Sequence, residues 1–382
     1  MELIKKKILV LVDWFAPGYK AGGPIQSCVN FAYALKNDFD IYVLTTDTDH
    51  GEEVPYPGII SGKWIRDSSD GFHVYYAKKR GLGRKELRRV ILSVKADYVY
   101  LNHLFSPYFV VYPLWLKYTG KIKADLVLCP RGALYQSALS VKPYKKIPFI
   151  RLFRWMGMAK KIIFHATNSR EEIAIKEFFP GSKVVIADNL PDTNQQPFNS
   201  CEKRTGQLKL IFIARIVAIK NLLFLLERLD DIMATIELTI IGPVEDRTYW
   251  NECERKLTNL GSNIKINYIG PKPNQQIPAI LKQHHVFVLP TTGENFGHSI
   301  FEALLCGRPT LISDQTPWLN LTEKNAGWDL PLDKPEKFSN IIKETAEWDQ
   351  NSFDHWAKGA WEYAKIFINN PEIHTQYLEL FS

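Results

Sequence analysis

Short apolar runs alternate with stretches of helical period along nearly the whole chain. Runs at 8–12, 41–45, 73–76, 98–101, 126–129, 162–166 and 184–186 predict a first series of strands. A second series is predicted at 210–214, 238–241, 265–269, 286–289 and 310–313. Apolar runs this continuous, separated by helices, indicate parallel strands covered on both faces. The pattern breaks once, over 189–206, where Pro, Asn, Gln and Ser accumulate. Two doubly wound, Rossmann-like α/β domains facing each other across a cleft are therefore expected. The first spans 1–190 and the second 191–355, with terminal helices over 356–382 packing back toward the first.

The strand at 286–289 leads into the most informative stretch. Glu294-Asn295-Phe296-Gly297-His298-Ser299-Ile300-Phe301-Glu302 opens a predicted helix over 300–306, which stops at Gly307-Arg308-Pro309. Strand, tight turn and helix in that order aim free backbone N–H groups and the positive helix end at one spot, which suits a phosphate. Gly297 permits close backbone approach. Glu302, about a turn inside the helix, suits ribose hydroxyls, and Glu294 faces whatever extends from the phosphate. Together they predict a nucleotide-sugar pocket. The plainer alternative is a helix start with solvated glutamates.

Two further strand ends carry candidates. Beyond 210–214 lie Arg215 and Lys220, two cations that can neutralise a diphosphate from one side. Beyond 8–12 a long loop reaches Gly22-Gly23-Pro24, where paired glycines at a helix start let backbone amides approach a phosphate or sugar. The G-x-G-x-x-G dinucleotide fingerprint is missing, which argues against a hydride-transferring dehydrogenase. Arg131-Gly132, after 126–129, is a candidate acceptor or phosphate contact, set against a structural ion pair. Asp38-Phe39-Asp40 and Asp47-Thr48-Asp49 resemble metal-binding triplets but are read as accidental, so no metal and no cofactor are expected.

Charge is unevenly spread. Residues 1–190 hold 29 Lys and Arg against 17 Asp and Glu; residues 191–382 hold 19 against 24. The first half should meet something anionic. Two segments concentrate its charge, residues 78–89 and residues 142–155, and in the second the bases interleave with Phe, Leu and Trp. That pattern suits an anionic membrane surface. No nucleic-acid motif accompanies the charge. Five scattered cysteines without a CxxC pair fit reduced thiols, and no apolar run approaches a bilayer span. The expected location is cytoplasmic, or peripheral on the inner face of the membrane.

The order Gly22-Gly23, Arg215, Lys220, Glu294-x7-Glu302, with the continuation Ala303-Leu304-Leu305-Cys306-Gly307-Arg308-Pro309-Thr310, resembles the retaining glycosyltransferases of family 4, which have the GT-B fold. The likeness is strongest over 208–332. It implies that Arg215 and Lys220 hold the donor diphosphate and that Glu302 holds the ribose. Backbone amides around Phe296, Gly297, His298 and Ser299 would meet phosphate oxygens, Glu294 the transferred sugar, and Gly270-Pro271 the base. Where relatives carry a His near the sugar, this chain offers Asn102 or His103. Gln315-Thr316-Pro317-Trp318 replaces the family's usual Gly-Gly-x-x-Glu. The activity implied is hexosyl transfer from a UDP- or GDP-sugar to a glycan or lipid-linked acceptor in bacterial surface polysaccharide synthesis. A nucleotide-sugar 2-epimerase and a non-catalytic nucleotide-sugar binder are the alternatives.

Overall fold

A computed structural model of the chain describes residues 5–66, 71–192 and 197–382. The first four residues, and 193–196 of the interdomain stretch read from the sequence, lie outside them.

The chain divides into two units. Unit 1 comprises Met1–Pro191 with Pro371–Ser382, and unit 2 comprises Asp192–Asn370. Unit 1 contains an eight-stranded sheet of β1 (Lys7–Leu11), β2 (Asp40–Thr46), β3 (Trp64–Arg66), β4 (His73–Ala77), β5 (Tyr98–Asn102), β6 (Asp125–Cys129), β7 (Ile163–Ala166) and β8 (Lys183–Ile186). Their order is β3-β4-β2-β1-β5-β6-β7-β8. All neighbours are parallel except β3 and β4. Unit 2 contains β9 (Gln207–Ile213), β10 (Thr235–Ile241), β11 (Ile264–Tyr268), β12 (Val286–Leu289), β13 (Thr310–Ser313) and β14 (Gly327–Leu330), ordered β11-β10-β9-β12-β13-β14 and parallel throughout.

The central strands β1, β5, β12 and β13 are buried along nearly their whole length, which is why they read as unbroken apolar runs. Two strands had no such signal. β3 is three residues long, antiparallel and only half-buried, and β14 reads Gly-Trp-Asp-Leu with its last two residues half-exposed. Both are edge strands, which need only one covered neighbour.

The terminal helices depart from expectation. The helix Gln350–Ile368 belongs to unit 2, and only Pro371–Leu380 with the tail returns to unit 1. The apolar content of the two explains the split. Phe353, Ala357, Ala360 and Ala364 are buried in unit 2, whereas Ile373, Tyr377, Leu380 and Phe381 are buried in unit 1. Phe381 packs edge-on against Phe31, Phe39, Tyr98 and Tyr100, and Tyr98 Oη donates to the Ser382 carbonyl at 2.7 Å.

Candidate functional site

The C-terminal end of β12 begins the main constellation in unit 2. Past it, Thr291 Oγ1 and the Thr292 N–H both donate to the Ile219 carbonyl, at 2.9 and 2.8 Å. These bonds tie the loop beyond β12 to the single 3-10 turn Ala218–Lys220 beyond β9. The Lys220 ammonium and the Glu294 carboxylate form an ion pair whose side chains are each 14% exposed. A pair this shielded is held by the loops around it, not merely by its own attraction. Arg215 lies at the end of β9, and its guanidinium pairs with Glu245 at 2.5 Å.

Glu245 was not found from the sequence. The chain reaches it by passing β9 at very close range. Gly242 follows β10 with φ 145°, and a Cβ there would lie 1.8 Å from the Ala214 carbonyl oxygen. Ile216 then pairs with Val244 in an isolated parallel bridge, and its carbonyl accepts the N–H groups of Glu245 and Asp246. The only sequence signal was a glycine directly after a strand. Gly270, beyond β11, accepts the Gly242 N–H at 3.2 Å, which sets Gly270-Pro271 beside this crossing.

Gly297 adopts φ 80° and precedes the helix His298–Leu305. The positive φ favours glycine here, and a Cβ at Gly297 would in addition press on the Ile300 side chain, 2.7 Å from its Cδ1. Phe296 is buried, its ring packed on His298, Phe301, Trp318 and Phe367. His298 and Ser299 are half-buried at the helix start. The segment that departs from the family pattern supports this turn: the Gln315 carbonyl accepts the Glu294 N–H at 3.0 Å, and Trp318 Nε1 donates to the Phe296 carbonyl at 2.5 Å. Glu302 is half-buried in the helix, and its carboxyl is pushed up to about 8, first by burial and then by the Asp192 carboxylate.

Unit 1 gathers its candidates at strand ends too. Gly22, φ 67°, caps the helix Gly23–Leu35. The loop before it is fastened by Asp49, whose carboxylate accepts the N–H groups of Tyr19, Lys20 and His50 at 2.7–3.3 Å. Asp47 accepts from Ser61 Oγ and the Lys79 N–H. The Asp47-Thr48-Asp49 triplet thus serves the backbone, and Asp38 pairs with His374. Among the described residues no group of three or more His, Cys, Asp or Glu is placed to hold a metal ion.

Asn102 and His103, beyond β5, separate cleanly. Asn102 is buried, and its Oδ1 accepts from Arg131 Nε and Nη2 at 2.9 and 2.8 Å; its Nδ2 has no partner. His103 is exposed, with φ 70°. Arg131 also donates to Asn189 Oδ1 at 2.8 Å and to Tyr100 Oη at 3.2 Å, so its guanidinium is spent on neutral oxygens of unit 1 instead of an ion pair. The Arg131-Gly132 turn is anchored by Glu171, a wholly buried carboxylate that accepts from Gly132 N, Thr167 N and Thr167 Oγ1. Burial raises the Glu171 carboxyl, against the pull of those bonds.

Residues 194–356 match the family model described as glycosyl transferases group 1. No curated protein matches the chain. Solved structures do, along nearly its whole length. Sucrose-phosphate synthase from Thermosynechococcus elongatus superposes with a TM-score of 0.73 at 15% identity, covering 99% of this chain and 98% of that one. Anabaena Alr3699/HepE in complex with UDP and glucose gives 0.70 at 16%, covering 98% and 99%. WaaG, a glycosyltransferase involved in lipopolysaccharide biosynthesis, gives 0.65 at 13%, covering 98% of each chain. Residues 194–356 thus match the glycosyl transferases group 1, and the chain as a whole has the GT-B fold.

Proposed function

We propose that the chain is a retaining, metal-independent hexosyltransferase that uses a nucleotide diphosphate sugar. The observation that carries this is the shielded Lys220–Glu294 pair beside the helix start at Gly297. In this reading the donor diphosphate takes Lys220 and Arg215 as counter-charges, helped by the N–H groups of Gly297, His298 and Ser299. Glu302 accepts from the ribose hydroxyls, and Gly270-Pro271 borders the base. Glu294, released from Lys220, accepts hydroxyls of the transferred sugar. The bond between the anomeric carbon and the diphosphate oxygen breaks, and the acceptor oxygen bonds to that carbon on the same face. The acceptor's proton passes to the departing diphosphate. Catalysis then rests on charge stabilisation by groups already in place.

His103 and Asn102 are assigned to the sugar, Gly22 and Gly23 to the donor, and Arg131 to the acceptor through the Asn102 side chain that it holds. UDP is favoured over GDP as the nucleotide by the complexes of HepE with UDP-glucose and with UDP. The acceptor is a glycan or lipid-linked glycan of a bacterial surface polysaccharide, made beside an anionic membrane on the cytoplasmic side. The charge excess of unit 1 and the likeness to WaaG support that setting.

Thermal-shift screening against UDP-, GDP- and ADP-sugars in chelator-containing buffer tests the donor. A rise in Tm with a UDP-sugar is expected. No shift with any of the three would remove the reading. Product anomeric configuration, read by NMR, decides retention, and consumption of donor without acceptor would point to the epimerase.

A further inference from the structure

Residues 105–161 of unit 1 hold eleven Lys and Arg against a single acid, Asp125. Within them the helix Pro143–Trp155 has an unusual outward face. Ile150 and Phe153 are buried beneath it, whereas Tyr144, Pro148, Leu152 and Trp155 are exposed. Steps of four, four and three residues put those four on one stripe. Leu152 is 52% exposed and Trp155 83%. Lys145, Arg151 and Arg154, all exposed, flank the stripe. Scattered exposed apolar side chains are ordinary, but a row of them along one helix marks a contact surface.

A second helix packed into the same core of unit 1 also exposes aromatic side chains. Trp115 and Tyr118 of Tyr112–Tyr118 are exposed, and the Lys161 ammonium lies 5.2 Å from the Tyr118 ring centroid. Trp and Tyr beside bases are the side chains that settle at a lipid headgroup boundary. An aliphatic and a prolyl side chain in the middle of the stripe have no use for phosphodiester recognition. They do suit the ends of acyl chains.

We propose that the outward face of helix Pro143–Trp155, together with Trp115 and Tyr118, inserts into the interface of an anionic bilayer. Leu152 and Trp155 enter the apolar layer, while Lys145, Arg151 and Arg154 meet lipid phosphates. The inference rests on the membrane setting given above and narrows it to one surface and one mode of attachment.

Sedimentation of the full chain with vesicles of phosphatidylcholine, with and without phosphatidylglycerol, tests it. Wild type should bind the anionic vesicles and keep part of that binding at high salt. Leu152→Ser with Trp155→Ser should lose binding about tenfold or more at either salt, and Arg151→Gln with Arg154→Gln should lose it mainly at low salt. All four positions are exposed, and an unchanged UDP-sugar thermal shift checks that the fold is intact. If the serine pair binds like wild type while the glutamine pair releases, attachment is by charge alone; insertion is then wrong and the membrane setting survives. Absence of wild-type binding to any vesicle overturns both, and leaves the donor reading to its own test.

Discussion

Lys220 and Glu294 are each other's counter-ion, although 74 residues separate them in the chain. The Ile219 carbonyl, shared by Thr291 and Thr292, is what brings their loops together. In the proposed reading, donor entry exchanges partners: the diphosphate takes the ammonium and frees the carboxylate for the sugar.

Lys220→Ala should weaken donor binding by roughly 10- to 100-fold, the scale of one hydrogen bond to a charged group. Glu294→Ala should lower kcat more than affinity, because its proposed contact strengthens as the sugar reacts. Calorimetry with the UDP-sugar and steady-state kinetics separate the two effects. Unaltered constants in both variants would remove the pair from the site.

If Glu302 holds the ribose as proposed, donor binding should depend on pH. Its carboxyl titrates near 8 in the folded chain, above the ordinary value of 4.5. Only the ionised form accepts from both ribose hydroxyls, so affinity for a UDP-sugar should rise between pH 6 and 9, where its diphosphate does not titrate. Glu302→Gln should flatten that rise. The sign for stability is opposite: the contribution is whole below the unfolded value and is lost as pH climbs through 8. A pH-independent Kd in the wild type would contradict the ribose assignment.

Gly242→Ala should cost at least about 2 kcal/mol, since both the positive φ and the Ala214 carbonyl oppose a side chain. The displaced crossing would carry Glu245 away from Arg215, so donor affinity should drop along with Tm. A variant with wild-type Tm would show that the crossing is not held as described.

Acid should act on one buried histidine in each unit. Burial pushes His165 in unit 1 down to about 3 and His285 in unit 2 down to about 4. Each is held neutral, His165 between Tyr100 Oη and the Ala187 carbonyl, His285 between the Lys209 N–H and the Glu202 carbonyl. A lowered folded value gives stability that is complete above about pH 6.5 and is lost as pH falls through the folded values. Between pH 6.5 and 4.5 the wild-type Tm should fall relative to that of a His165→Gln, His285→Gln variant, in which the opposite contribution of Glu302 is unchanged; parallel profiles would refute the neutral state.

The sheets were legible because their central strands are buried on both faces and read as apolar runs. The glycine turn at Gly297 was legible because strand, glycine and helix follow one another directly. Glu245, Asp49 and Glu171 were not, since each is an acid whose role arises only when a distant backbone segment comes to meet it. Asn102 and His103 are adjacent in the chain and equally polar. What separates them is Arg131, arriving from the next strand to occupy one and leave the other exposed.

The return of Pro371–Ser382 to unit 1 makes that unit discontinuous, with unit 2 inserted before its last helix. On a ribosome, then, the aromatic pocket around Phe31 and Tyr100 is synthesised early but waits for Tyr377 and Phe381 until all of unit 2 has emerged. Unit 1 is completed last, so its final stability arrives only once its neighbour has been made.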